Sequence, residues 1–153
     1  LVLPGLATAH THLYRALARG MPGPALPPRT CVETLERVWW RLDRALDEES
    51  VRLSALVGAI EAARSGTTTL VDHHASPSFV RGSLATVRQA VEEVGLRSGL
   101  CYETTDRNGL PGRDAGLAYA KAFIEEMKAS GFVAQALERS GVRGVPVAPP
   151  EKP

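Results

Sequence analysis

The sequence contains few of the residues that define several common protein classes. Only two of its 153 residues are cysteines, Cys31 and Cys101, and they stand 70 positions apart. This spacing fits neither a disulfide framework nor a CxxC metal knuckle, and it favours a reducing, cytoplasmic setting. Aromatic residues make up 5% of the chain. No apolar run approaches the ~20 residues that a membrane-spanning helix needs, so we expect no membrane partner.

The chain also lacks an excess of charge of either sign. It has 18 basic and 17 acidic residues, a formal net charge of +1. This balance does not favour binding to nucleic acid or to an anionic membrane. The chain begins Leu1-Val2-Leu3-Pro4-Gly5, without Met or a basic segment. This start does not resemble a signal peptide and is typical of the interior of a longer protein.

Lysine is missing from the first part of the chain. Residues 1–112 contain twelve arginines and no lysine, whereas residues 113–153 contain three of each. The stretch 108–112, Asn-Gly-Leu-Pro-Gly, lies at this change of composition and predicts a loop or boundary. We therefore expect two parts, residues 1–112 and residues 113–153, the second containing a helix from Leu117 to about Ser140 and a proline-rich tail.

Apolar and β-branched runs predict an α/β fold with about three parallel strands. Strands are expected at 6–9, 67–71 and 97–104. Amphipathic helices are expected after Thr30, after Asp47 and over 79–94. Strand, helix and strand within about 35 residues correspond to a right-handed βαβ unit. The length is too short for a complete (β/α)₈ barrel of about 250 residues.

The clearest chemical signal is His10-Thr11-His12, at the end of the first predicted strand. Residues i and i+2 of a strand point to the same side, so both imidazoles can converge on one cation such as zinc, iron or nickel. HxH alone is a weak motif, because surface or packed histidines produce it as well. A catalytic zinc also needs about three protein ligands.

The next two strands end in further polar clusters. Asp72-His73-His74 follows the second strand, and only one of the two histidines can face the same side as His10 and His12. The alternative is that Asp72 orients a histidine or caps the next turn. Glu103 and Asp106 follow the third strand, where they either contact a substrate or form a polar turn. Nearby arginines, Arg15 included, are expected mainly on solvated faces.

Longer motifs around these residues resemble the amidohydrolase superfamily. Leu3-Pro4-Gly5-Leu6 leading to His10-Thr11-His12, and Ser65-Gly66-Thr67-Thr68-Thr69, are similar to its aminohydrolase/chlorohydrolase branch. Val71-Asp72-His73-His74-Ala75-Ser76-Pro77 and Tyr102-Glu103-Thr104-Thr105-Asp106-Arg107 resemble the aminohydrolases associated with selenium metabolism. The resemblance covers about residues 1–112. Thr8 departs from it, because the family usually has Asn there.

The resemblance implies the N-terminal fragment of a metal-dependent (β/α)₈ barrel. It implies a hydrolase of non-peptide carbon–nitrogen bonds, an aminohydrolase, deaminase or chlorohydrolase. It also implies that His10 and His12 are metal ligands, that the ion is zinc or iron, and that the full-length parent acts on a small-molecule substrate. The family takes its remaining ligands and its proton shuttle from later strands, so we expect this chain alone to be catalytically incomplete. We also expect it to self-associate through uncovered barrel edges.

The tail resembles a different family. Residues 117–150 are similar to the C-terminus of family 3 solute-binding proteins. Two alternatives follow from this resemblance and from the short length. The chain is then a solute-binding or interaction module, or a non-functional fusion remnant.

Overall fold

A three-stranded parallel sheet forms the centre of the computed structural model, which describes residues 2–139, 141–142 and 144–151. The strands lie in the order β1 (Leu6–Thr11), β2 (Thr67–His74) and β3 (Arg97–Tyr102). The predicted parallel α/β arrangement is confirmed. All three strands end at the same edge of the sheet, and this brings the polar clusters that follow them close together.

Helices connect the strands and cover one face of the sheet. A short 3₁₀ helix directly follows β1, and a π-helical turn joins α1 to α2. The helical segments are the 3₁₀ helix (Leu13–Ala18), α1 (Cys31–Thr34), the π-helical turn (Leu35–Trp39), α2 (Trp40–Ala45), α3 (Glu48–Arg64), α4 (Ser83–Glu93), α5 (Leu110–Ala129) and α6 (Phe132–Arg139).

Capping residues set the helix starts where the sequence predicts them. The Thr30 hydroxyl accepts a hydrogen bond from the Glu33 amide, and Asp47 forms a reciprocal capping box with Ser50. The predicted helix over 79–94 is shorter than expected and begins at Ser83. Gly82 precedes it with φ +91°, a left-handed conformation that no helical residue adopts, so the segment before it remains in turns.

The hydrophobic core lies between the sheet and helices α3 and α4. Its members are fully or nearly fully buried: Leu13, Tyr14, Leu46, Val51, Ala55, Ala59, Leu70, Ala75, Val87, Ala90, Val91 and Leu96. The opposite face of the sheet is open, and Val71 at its centre is 44% exposed. In the described part of the chain, β1 and β3 each pair with one strand only and form the two edges.

The C-terminal part contains two helices rather than one. Helix α5 begins at Leu110, so the prediction of a loop through Gly112 is wrong in its last residues; Pro111 lies in the first turn, where a missing N–H is tolerated. The helix runs through residue 113 without a break. It ends at Ala129, and Gly131, with φ +74°, lies between it and α6. Ser140, the predicted helix end, lies outside the described residues, and a separate origin for this part remains a prediction.

No helix among the described residues is both long and apolar enough to cross a membrane.

Candidate functional site

Two histidines face each other where β1 ends. His10 lies near the end of the strand and His12 immediately after it, and their Nε2 atoms are 3.0 Å apart. Zinc–nitrogen bonds are about 2.0–2.1 Å long, so one ion can contact both atoms at this separation. The donor set therefore fits two of the ligands of a divalent metal with an affinity for imidazole.

A hydrogen bond from the second imidazole to the neighbouring strand fixes its tautomer. His12 Nδ1 lies 2.9 Å from the backbone oxygen of His73, which can only accept, so the proton is on Nδ1. The Nε2 lone pair is then directed toward His10. Burial lowers the pKa of His12, which also keeps the ring neutral. This is how a metal-binding imidazole is usually held.

The two consecutive histidines of β2 point to opposite sides of the sheet. The His73 ring centroid lies 5.4 Å from that of His12, so His73 shares the open side with the histidine pair. His74 is fully buried on the helix side, between Tyr14 and Tyr102. Its Nε2 donates to the Ser76 hydroxyl at 2.8 Å, because that hydroxyl gives its own proton to a backbone oxygen. Burial lowers the pKa of His74 to about 4.

Asp72 supports the loop that carries the histidine pair and does not face the open side. Its Oδ1 accepts hydrogen bonds from the Thr11 hydroxyl at 2.8 Å and from the Leu13 amide at 2.7 Å. The side chain is fully buried, and burial raises its pKa. Strand alternation explains this position, because Leu70, Asp72 and His74, each two residues apart, are the buried positions in the second half of β2. Asp72 thus holds the turn after β1, whereas the alternative considered from the sequence placed it at the turn after its own strand.

The residues after β3 form an ion-pair cluster centred on an arginine that the sequence did not single out. Arg107 Nη2 lies 2.5 Å from Oδ2 of the buried Asp43, and Arg107 also pairs with Glu103. Trp40 packs against the same guanidinium, 5.4 Å from its ring centroid. Glu103 is therefore engaged within the protein. Asp106 is exposed, and its backbone oxygen closes the turn before α5.

A second arginine is held beside the histidine pair. The Arg15 guanidinium lies 4.6 Å from the ring centroid of Trp39 and 5.1 Å from that of Tyr14. Its Nε donates to the Tyr14 hydroxyl at 3.0 Å. Tyr14 in turn packs edge-on against His12, at 5.8 Å between centroids. Nothing in the sequence pattern distinguishes Arg15 from its neighbours, so its position beside the histidines follows only from the fold.

The described residues bring two imidazoles together but do not form a complete set of potential metal ligands. Within residues 2–139, 141–142 and 144–151, no group of three or more His, Cys, Asp or Glu side chains is arranged to hold a metal ion. His10 and His12 therefore need at least one ligand from elsewhere to form a catalytic zinc site.

Comparison with known proteins identifies the family. The sequence profile of the Amidohydrolase family matches residues 1–153. The 5'-deoxyadenosine deaminase of Methanocaldococcus jannaschii is 35% identical over 124 residues, which cover 81% of this chain and 27% of that protein. The 5-methylthioadenosine/S-adenosylhomocysteine deaminase of Pyrococcus furiosus is 37% identical over 125 residues, 82% of this chain and 27% of that protein.

A solved structure supports the same relationship. The triazine hydrolase from Arthobacter aurescens matches with a TM-score of 0.50 and 25% identity, over 65% of this chain and 23% of that one. This chain therefore spans about a quarter of the length of the relatives it matches. The profile match, the identities and the parallel βα architecture agree: the chain belongs to the amidohydrolase family, whose members are hydrolytic enzymes.

Proposed function

We propose that this chain forms the first part of a metal-dependent hydrolase that removes an amino group from an sp² carbon of a small molecule. Chlorohydrolysis is the alternative within the same chemistry. The observation that carries the proposal is the His10–His12 pair, with Nε2 atoms 3.0 Å apart at the carboxyl end of a parallel strand. This end of a (β/α)₈ barrel is where active sites lie. The names of the relatives, adenosine-type deaminases and a triazine hydrolase, support a carbon–nitrogen bond as the target.

The chain's own residues hold and orient the ligands of a divalent ion, most suitably zinc. His10 and His12 would supply imidazole nitrogens, and the His73 carbonyl keeps His12 in the required tautomer. Asp72 fixes the segment that follows His12 through the Leu13 amide. A bound divalent ion supplies Lewis acidity, which provides a nucleophile near neutral pH and stabilises the negative charge that develops on the substrate.

The 153-residue chain on its own is expected to bind metal without turnover. Two imidazoles leave a catalytic zinc short of protein ligands, and the described residues contain no third ligand in place. Glu103 is paired with Arg107 and Asp72 is buried, so neither of these two carboxylates is free to move a proton on the open side. A cytoplasmic location remains part of this proposal.

The test is metal binding by the purified chain. The metal-free protein is titrated with Zn²⁺ by calorimetry, and Co²⁺ is used as a spectroscopic probe of nitrogen ligation. We expect about one equivalent in the native chain and a loss of affinity of at least tenfold in His12→Asn, because one of two nitrogen ligands is removed.

The exposed thiols Cys31 and Cys101 are the main competing ligands, so a Cys31→Ser/Cys101→Ser variant is the control. It should bind zinc as tightly as the native chain. Equal affinity in the native and His12→Asn proteins, or loss of binding in the double serine variant, would contradict the proposed site. Deamination by the native chain that His12→Ala abolishes would contradict the expected inactivity.

A further inference from the structure

We propose that Arg15 is an anion-recognition residue and that the substrate of this site carries a negatively charged group, a carboxylate or a phosphate, beside the position under attack. The identification of that anion as part of a substrate rests on the proposed function. The anion site itself depends only on the surroundings of Arg15. The relevant geometry is a guanidinium fixed between two aromatic rings next to the histidine pair.

Arg15 has a fixed position, and its terminal nitrogens have no hydrogen-bond partner among the described residues. Stacking on Trp39 and the hydrogen bond to the Tyr14 hydroxyl hold the guanidinium through its face and its Nε. Across the described ranges, neither terminal nitrogen donates a hydrogen bond to the protein, and no carboxylate lies within ion-pairing distance. A planar guanidinium with both terminal nitrogens free matches the geometry of a carboxylate or phosphate.

Arg107, at the same end of the sheet, has a structural role and serves as a comparison for Arg15. Arg107 also packs on a tryptophan, Trp40, but its terminal nitrogens are occupied by Asp43 and Glu103. Two adjacent tryptophans thus hold two arginines, one neutralised by protein carboxylates and one not. A half-buried cation that lacks a protein carboxylate is best compensated by an anion from outside.

Arg15 is also close enough to the histidines for a ligand to contact both. The Arg15 guanidinium lies 5.1 Å from the centroid of the Tyr14 ring, and the same ring packs edge-on against His12 at 5.8 Å between centroids. A small molecule whose reacting carbon lies at the histidine pair would therefore place a nearby substituent against Arg15. An aminated ring that bears a carboxylate or a phosphate fits this arrangement, whereas a neutral substrate leaves the guanidinium without a partner.

The test uses anion binding to the metal-free chain, so that it does not depend on the zinc site. Inorganic phosphate is added in place of chloride, so that the ionic strength stays constant. Binding is followed by tryptophan fluorescence, because Trp39 stacks on Arg15. We expect a saturable change in the native chain and at least a tenfold weaker response in Arg15→Gln. Arg15→Lys should be intermediate, because it keeps the charge but loses the planar fork.

Arg19→Gln is the matched control. Arg19 lies just after the same 3₁₀ helix, carries the same charge and pairs with Glu61 on the surface. This variant should retain the native response. A native chain that does not saturate, or an Arg15→Gln chain that binds as the native one does, would overturn the proposal, with folding of each variant checked by circular dichroism.

The ligand class is tested by comparing adenosine with adenosine 5'-monophosphate as probes. Tighter binding of the monophosphate that Arg15→Gln abolishes supports an anionic substrate, and equal binding of both refutes it.

Discussion

Replacing Arg107 by Met should destabilise the fold far more than removing any surface arginine. Asp43 is 1% exposed and lies 2.5 Å from the Arg107 guanidinium, whose side chain is 12% exposed. Arg107→Met leaves this carboxylate buried without a counter-ion. Loss of one partner of a buried pair costs about 3–5 kcal/mol of unfolding free energy, because desolvation of the remaining charge is no longer offset. Urea unfolding followed by circular dichroism measures the loss.

The acid dependence of this loss has a defined sign. Burial already raises the pKa of Asp43, although Arg107 lowers it, so removal of Arg107 raises this pKa further. The folded variant then takes up a proton more readily than its unfolded chain does. Its destabilisation should therefore shrink as the pH falls from neutrality toward the raised pKa of Asp43.

Two companion variants separate the buried charge from other effects. Asp43→Leu combined with Arg107→Met removes both charges and should recover most of the lost stability. Arg52→Met breaks the exposed pair with Glu93, where the side chains are 47% and 57% exposed, and should cost about 1 kcal/mol or less. If Arg107→Met costs no more than Arg52→Met, the assignment of a desolvated, energetically coupled pair is wrong.

Two further predictions concern acid stability and association. Burial holds the pKa of His74 at about 4, while the unfolded chain has the ordinary value near 6.5. Acidification from about pH 6.5 to 4 should thus remove about 3 kcal/mol of stability. His74→Gln should not lose this stability when its unfolding curves are compared with those of the native chain. The comparison cancels the opposing effect of Asp72, which both proteins share. Identical dependence of stability on pH in the two proteins would refute the prediction. The chain should also self-associate with rising concentration in sedimentation velocity, because the β1 edge exposes Leu6. Leu6→Lys should weaken this association, and a native chain that is monomeric throughout would contradict it.

Local signals in the sequence were sufficient to predict the three strands and the starts of α1 and α3, but not the side of the sheet on which each side chain lies. Thr30, Asp47 and Gly66 mark element ends by short-range chemistry, so those boundaries could be predicted. The choice between His73 and His74 could not, because Leu70 and Val71 are both apolar and give β2 no clear alternation. Only the packed helices determine that Leu70 is the buried one.

The residues that the sequence analysis missed depend on contacts between distant segments. Asp43 and Arg107 are 64 positions apart in the sequence. Arg15 contacts Trp39 because the fold places the π-helical turn beside the 3₁₀ helix. No rule of sequence spacing predicts contacts between residues on different elements of the fold. The predicted loop at 108–112 is wrong from Leu110 onward for a different reason, since Pro favours the first turn of a helix as readily as a loop.

Trp39 and Trp40 lie at the junction of the π-helical turn and α2, and each stacks on an arginine from a different strand-end loop. One short helical segment therefore contacts both the 3₁₀ helix after β1 and the loop after β3. A change in its pitch would displace both stacking surfaces at once, so the two loops cannot adjust independently to ligands of different shape.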